Sequence, residues 1–336
     1  MKYKKHLLFA GLLLSLCSCR QNPSELKIRT KENLLGTIIT ISTYDARESV
    51  YNECFSKVSD IDERMSVNLP ESEISRLNMV AGEEKVQVSE DTYKLVEKCK
   101  EFSGLSNGLF DISIGAVVEK WKVDGVFARL PSEEELRKAV SLVDYNKIEL
   151  FSDNYIKLSE KGMAIDLGAA AKGFACDEAV AILKKNGIKQ ALLDFGGNIY
   201  VHGTKLDGSP WRVGIKNPLY DGEGYVCYIE ATDKSVVTSG IYERFFTKND
   251  INYHHIINPK TGSPANNGII SATIVSPSSA EADILSTSCF ILGVEEAKKL
   301  LSTMPDCEGI FITEDKKIHV TSGLKPIITN PEFVIY

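Results

Sequence analysis

The sequence contains no Cys-x-x-Cys pair, no three-glycine dinucleotide fingerprint, no P-loop and no excess of positive charge. The first absence removes zinc-ribbon and thioredoxin-type chemistry. Past residue 19 the cysteines are Cys54, Cys99, Cys176, Cys227, Cys289 and Cys307. They are far apart and several fall on apolar helix faces, where a buried free thiol is the ordinary state. Without either glycine-rich motif, a nucleotide here is held by neither of the two common phosphate loops. Lysine and arginine number 39 against 46 aspartate and glutamate, a formal charge of −7. Such a surface does not suit nucleic acid or an anionic bilayer, so any phosphate site must be local. Internal repeats and low-complexity tracts are also missing.

At the amino terminus Lys2, Lys4 and Lys5 precede the apolar run Leu7–Leu16. That run is too short for a spanning helix and reads as the core of an export signal. Leu16-Cys17-Ser18-Cys19 resembles a bacterial lipoprotein box, because Leu16 at −3 and Ser18 at −1 place Cys19 at the lipidated position. Cys17, with bulky Leu16 before it, fits less well, and a plain secretory signal is the alternative. The expectation is a signal over 1–18, a tether over 19–30 and a folded domain over 31–336. Acyl chains would hold that domain to a membrane, facing the periplasm. Loss of residues 1–18 takes three lysines with it and leaves 36 basic against 46 acidic residues, a formal −10.

Alternation predicts a strand over 34–44, and Val50, Cys54, Phe55, Val58, Ile61 and Met65 make a helical stripe. A short helix begins at Ser72, another runs from Ser89 to Gly104, and Ser132 with Glu135 caps a further one. A central helix is predicted over 169–186, stopped by Gly187. Strands follow at 191–195, 199–202, 211–215, 225–230, 235–238, 254–257 and 269–275. Helices near 280–292 and 294–303 and a hairpin over 309–320 complete the chain. Helices interleaved with hairpin-linked strands, without a βαβ rhythm, predict an α+β fold with mixed, largely antiparallel sheets.

Two stretches carry chemistry. Ile165-Asp-Leu-Gly-Ala-Ala-Ala-Lys-Gly173 ends an apolar run in Asp166 and opens a helix with small residues. A ligand can approach such a backbone closely, and free amides there favour phosphate. Lys172 adds a point charge, and Asp166 suits a base, a hydroxyl or a metal's shell. Farther on, Ser278 and Glu281 stand at capping-box spacing. On the helix they open, Asp283 and Thr287 are four residues apart and share a face. A carboxylate, a hydroxyl and free carbonyls form a sparse oxygen site of the kind that Mg²⁺ accepts. Taken alone, Asp283 as a helix-dipole partner and Thr287 as packing explain that spacing more simply.

Read in order, the chain carries Leu35-Gly-Thr37, then Met65-Ser66 with Ser72-Glu-Ile-Ser-Arg-Leu-Asn78. Gly108-Leu-Phe-Asp-Ile-Ser113 with Trp121, the 165–173 stretch, and Leu193-Asp-Phe-Gly-Gly-Asn198 come next. Trp211 with Pro218, Thr238-Ser-Gly240, Tyr253-His-His-Ile-Ile-Asn-Pro-Lys-Thr-Gly262 and Ala282-Asp-Ile-Leu-Ser-Thr287 follow. This ordered set, from about residue 33 to 322, resembles the ApbE family of FAD:protein FMN transferases. The resemblance implies an ApbE-like fold and an enzyme that binds FAD and Mg²⁺ and cleaves the diphosphate. FMN would pass to a threonine of an acceptor protein, such as a membrane redox subunit, with release of AMP.

By the same resemblance, Asp283, Thr287 and the backbone carbonyl of Ala169 would hold the metal, with Ser286 contributing its backbone. Asp166 and Lys172 would touch the dinucleotide. Leu109, Phe110 and Asp111 would wall its adenosine side, and Leu35 and Ile257 would make apolar contacts. His255, ahead of the 258–262 turn, would be the base that deprotonates the threonine. Ser239 and Gly240 would line the isoalloxazine or phosphate region, and Gly196 and Gly197 would permit a tight turn beneath it. Some positions depart from the family pattern. Asn68 stands where many relatives carry a tyrosine that stacks on the ligand, which favours turnover or plain hydrolysis of FAD over tight storage. Leu35 replaces a methionine, Ala169 a glycine and Asn258 an aspartate. An FAD pyrophosphatase using the same site and a non-catalytic FAD-binding lipoprotein are the alternatives. Retention of Asp283, Thr287 and His255 favours an enzyme.

Overall fold

The computed structural model describes residues 25–336 except Asp124, Tyr220 and Asp221. The signal segment, Cys19 and the tether as far as residue 24 lie outside the described residues. A strand begins at Lys27, inside the 19–30 stretch expected as a tether. Nine strands lie side by side in chain order: Lys27–Leu34, Thr37–Thr43, Ala191–Phe195, Asn198–His202, Lys234–Gly240, Ile269–Ser276, Glu308–Thr313, Lys317–Val320 and Val334–Ile335. Every neighbouring pair is antiparallel except the last. The sheet is a meander with helices inserted into its connections, which is the α+β arrangement expected.

Two expected strands need correction. Residues 34–44 are not one strand but the last residue of one and the whole of the next, turned at Leu35 and Gly36, whose φ angles are 52° and 68°. The strand expected over 254–257 is the end of a small hairpin, Phe245–Lys248 with Ile251–His254. Its turn residues Asn249 and Asp250 both have positive φ, the two-residue geometry that matches strand twist. Residues 255–257 therefore lie in the chain leaving that hairpin.

Alternation assigns the sheet's two faces. Val236, Ile310 and Ile312 enter one core, and Val237 and Phe311 the other. The strand Ile269–Ser276 is buried at all eight positions, as a strand covered on both sides must be. One face packs against the helices Glu48–Met65, Glu90–Leu105, Ala171–Lys185 and Ser279–Leu292. The other carries a three-stranded sheet of Trp211–Lys216, Tyr225–Ala231 and Ile327–Ile328. The helix 48–65 buries the expected stripe, with Tyr51 added.

The helices Ala171–Lys185 and Ser279–Leu292 meet at Gly173, where a Cβ would overlap the Ser279 carbonyl oxygen. Only hydrogen fits there, and the close approach lets each helix cap the other. Asp177 accepts hydrogen bonds from the Ser279 and Ala280 amides (2.8 and 3.0 Å) and from the Ser278 hydroxyl (2.9 Å). Asp283 accepts from the Gly173 amide at 2.9 Å. The helix 171–185 has no side-chain cap of its own at Ala170, so Asp283 satisfies its first turn from outside. The expected Ser278–Glu281 capping box is only half formed. The Ser278 hydroxyl accepts from the Glu281 amide, while the Glu281 carboxylate pairs with Lys98 at 2.7 Å. Gly173→Ala is expected to cost about 1–3 kcal/mol by overpacking this contact, read as a shift in the urea midpoint. An unchanged midpoint would refute the close fit.

Candidate active site

The facing N-terminal turns of those two helices, the strand Lys234–Gly240 and segments 109–114, 166–169 and 255–259 enclose a cavity. Its space of ≈ 1020 Å³ includes open solvent at the mouth. The loop leading into it is pinned by Asn78, whose carboxamide donates to the Ile165 carbonyl (2.9 Å) and accepts from the Ile165 amide (2.8 Å). The Asp166 amide donates to the Ile112 carbonyl at 2.8 Å, and the Asp166 carboxylate accepts from the Gly168 amide at 2.8 Å. These bonds turn the backbone so that Gly168, Ala169 and Lys172 face the cavity.

Lys172 Nζ stands 3.3 Å from the Gly168 carbonyl and 3.5 Å from Asp283 Oδ1. An ammonium between a carbonyl and a carboxylate marks a place suited to a cation. Asp283, Thr287 and Ala169 all line the cavity and offer hard oxygen donors, so they fit Mg²⁺, which completes its shell with water and phosphate. Among the described residues, no group of three or more His, Cys, Asp or Glu side chains is placed to hold a metal ion. A cation bound here would be held by fewer than three such side chains. The Thr287 hydroxyl lies 3.3 Å from Ser239 Oγ, which also meets Ser286 Oγ at 2.8 Å. Ser286 is fully buried behind the wall and its hydroxyl donates to the Asp283 carbonyl, so its side chain is withdrawn from the cavity.

His255 lines the opposite wall. Its Nδ1 and its backbone amide both lie 3.1 Å from the Arg244 carbonyl oxygen. A carbonyl only accepts, so Nδ1 carries the proton and the lone pair is on Nε2. Burial and the neighbouring Arg244 charge hold this imidazole well below the usual histidine range, and it is neutral at physiological pH. The Trp121 indole donates to the Gly262 carbonyl at 2.7 Å and packs against Phe246 and Tyr253, fixing both the hairpin before His255 and the turn after it. Within that turn the Asn258 side-chain oxygen accepts from the Lys260 amide at 2.9 Å, a function that needs no charge. His254 is buried and bonded to the Ala265 carbonyl, consistent with a purely structural place.

Leu109, Phe110, Ile257 and Ser239 line the cavity as the sequence leads one to expect. Four other expected residues do not. Leu35 sits in the hairpin turn with its amide bonded to Asp62, and Asn68 is exposed in the loop after the helix 48–65. Gly240 lies beside the Tyr242 ring, and Ser286, expected to contribute only its backbone, keeps its side chain behind the wall. Asp111 lines the wall, but its carboxylate is committed to the Ser113 amide and hydroxyl (2.8 and 2.6 Å) and the Tyr145 amide (2.9 Å). It shapes the loop rather than offering a free acceptor. Gly196 and Gly197, at φ 65° and 87°, do make the tight turn, held by the Asp194 carboxylate.

Glu243 and Arg244 were not singled out by sequence reasoning, yet both line the cavity. Their signal was position alone, between Thr238-Ser-Gly240 and the histidine motif. Glu243 keeps contact with cavity solvent but is hemmed in by protein, which raises its carboxyl to about 7, with Lys172 and Arg244 opposing the rise. A carboxyl raised in the folded state stabilises fully below its ordinary pKa near 4.5 and loses that contribution as pH rises through about 7. Glu243→Gln is neutral at every pH and should raise the melting temperature at pH 8 but not at pH 4. The same difference at both pH values would refute that assignment.

The sequence model of the ApbE family matches residues 35–311. The FAD:protein FMN transferase of Treponema pallidum (strain Nichols) is 32% identical over 332 residues, covering 93% of this chain and 92% of that protein. The FAD:protein FMN transferase of Klebsiella pneumoniae (strain 342) is 30% identical, covering 86% and 90%. Among solved structures, the ApbE protein of Thermotoga maritima superposes with a TM-score of 0.81 at 29% identity, covering 89% of this chain and 98% of that one. The flavin transferase ApbE of Vibrio cholerae gives 0.79 at 26% identity, with the same coverage. With the family model, its relatives and its fold matching over most of its length, this chain belongs to the ApbE family.

Proposed function

We propose that this chain is an FAD:protein FMN transferase that moves FMN from FAD to a threonine of an acceptor protein and releases AMP. The observation that carries the reading is the convergence of Lys172, Asp283 and His255 on one cavity in an ApbE-family chain. The proposed step is a phosphoryl substitution. The threonine hydroxyl donates its proton to His255 Nε2 as its oxygen bonds to the phosphorus on the FMN side. The bond from that phosphorus to the bridging oxygen breaks, and AMP leaves with that oxygen. Lys172 and the amides of residues 168–173 attract the diphosphate, and Leu109, Phe110 and Ile257 supply apolar surface for a nucleoside. The negative diphosphate raises His255's proton affinity, offsetting the loss caused by burial. Mg²⁺ held by Asp283, Thr287 and the Ala169 carbonyl would supply charge neutralisation at the phosphate oxygens.

The test incubates the purified protein with FAD, Mg²⁺ and an acceptor carrying a flavinylation-site threonine, then follows AMP release and acceptor mass. Equal AMP and covalent FMN support transfer. Free FMN beside an unmodified acceptor supports the pyrophosphatase reading, which the exposed Asn68 favours because no ring from that position covers the ligand. FAD bound without AMP release overturns both. A lipid anchor at Cys19 and a periplasm-facing location belong to the same proposal and rest on the Lys2–Cys19 pattern. Cys19→Ala should release the protein from the membrane fraction, and unchanged membrane association would sink the anchor.

A further inference from the structure

Among the described residues, two buried side-chain polar atoms have no hydrogen-bond partner, Asn198 Nδ2 and Ser271 Oγ. Ser271 is not among the cavity walls, but Asn198 is, and it is only 1% exposed. Its carboxamide is oriented from behind. The Ser279 hydroxyl donates to Asn198 Oδ1 at 2.6 Å, and Ser279 Oγ in turn receives the Ser235 hydroxyl at 3.0 Å. The strand register sets Asn198 opposite Val237, beside Thr238 and Ser239 of the same wall. Its place is also held by the turn before it, where the Gly197 amide donates to the Asp194 carboxylate at 2.9 Å. With the oxygen committed, the amide presents its NH₂ group without a protein acceptor. A donor left unmet in a buried place costs about 1–3 kcal/mol, so such atoms in folded proteins call for a partner.

We propose that Asn198 is a binding residue for the dinucleotide, its Nδ2 donating a hydrogen bond to an acceptor atom of bound FAD. This deepens the reading of the cavity as a flavin-dinucleotide site and rests on it. The carboxamide donates while Lys172 attracts, so Asn198 confers direction where the lysine confers charge. Asn198→Asp replaces the donor by an oxygen that repels an acceptor. Asn198→Leu removes the polar group at similar volume.

The experiment titrates FAD into the purified protein in EDTA by quenching of flavin fluorescence, so that binding is read apart from turnover and metal. Both variants are expected to weaken FAD binding by about 10- to 100-fold. A parallel loss for ADP would place the acceptor on the adenosine diphosphate half, and a parallel loss for FMN on the flavin half. Undiminished FAD affinity in a folded Asn198→Leu overturns the assignment. Should neither variant fold, a crystal of the wild-type protein with FAD decides: Nδ2 within about 3.2 Å of a ligand acceptor supports it, and any greater separation overturns it. A wild-type protein that fails to bind FAD would instead sink the flavin reading itself, which is a separate outcome.

Discussion

Asp283→Ala should abolish Mg²⁺-dependent FMN release from FAD and lower thermal stability in the same variant, because one carboxylate serves both ends. Its Oδ2 satisfies the Gly173 amide in the first turn of the helix Ala171–Lys185, and its Oδ1 faces Lys172. Removing it leaves that turn without its cap, a loss of about 1–2 kcal/mol. It also removes the charge on which a cation in this cavity depends, where losing one electrostatic contact typically costs on the order of 10²- to 10³-fold in kcat. Asp283→Asn separates the two effects. Its side-chain oxygen still accepts from Gly173, so melting temperature should return while turnover does not. Full Mg²⁺-dependent activity in Asp283→Ala would overturn the assignment.

His255→Ala should reduce FMN transfer by about 10²- to 10⁴-fold while leaving FAD affinity within a few-fold of the parent. The imidazole is held by the Arg244 carbonyl with Nε2 bonded to no described residue, the arrangement of a base awaiting a proton. A base works only unprotonated. The kcat/KM of the parent should therefore rise with pH through the free protein's depressed imidazole pKa and level off above it, and His255→Ala should lose that acidic limb. Equal losses in binding and transfer would mean that His255 shapes the pocket instead.

How far the sequence could be read depended on whether local pattern and tertiary use agreed. The stripe of the helix 48–65 and the alternation of 191–195 describe the same faces that the fold buries. The hairpin 245–254 escaped because its strands are short and largely exposed and its Asn249-Asp250 turn lacks glycine. The helix Gly115–Trp121 escaped because Ile114 offers no side-chain cap and Lys122, not glycine, takes the left-handed position at its end. Within the site, Asp166 and Lys172 were legible as a loop of small residues with a point charge, whereas Asp283 stood out only through the family resemblance, because its spacing alone reads as a helix-dipole partner. Asp111 has the chemistry of a ligand contact but is largely engaged by nearby Ser113 and by Tyr145, and the second of these is a long-range bond that no local pattern reveals. Glu243 and Arg244 read locally as solvated charge. Only the closure of the sheet against the helices brings them to the cavity.

The exchange of carboxylates between Asp177 and Asp283 has a consequence for how competence is acquired. Each helix leaves first-turn amides to the other's carboxylate, so neither beginning is fully satisfied until the two meet. Whatever chemistry the pocket performs then depends on the docking of these two helices and is lost when they part.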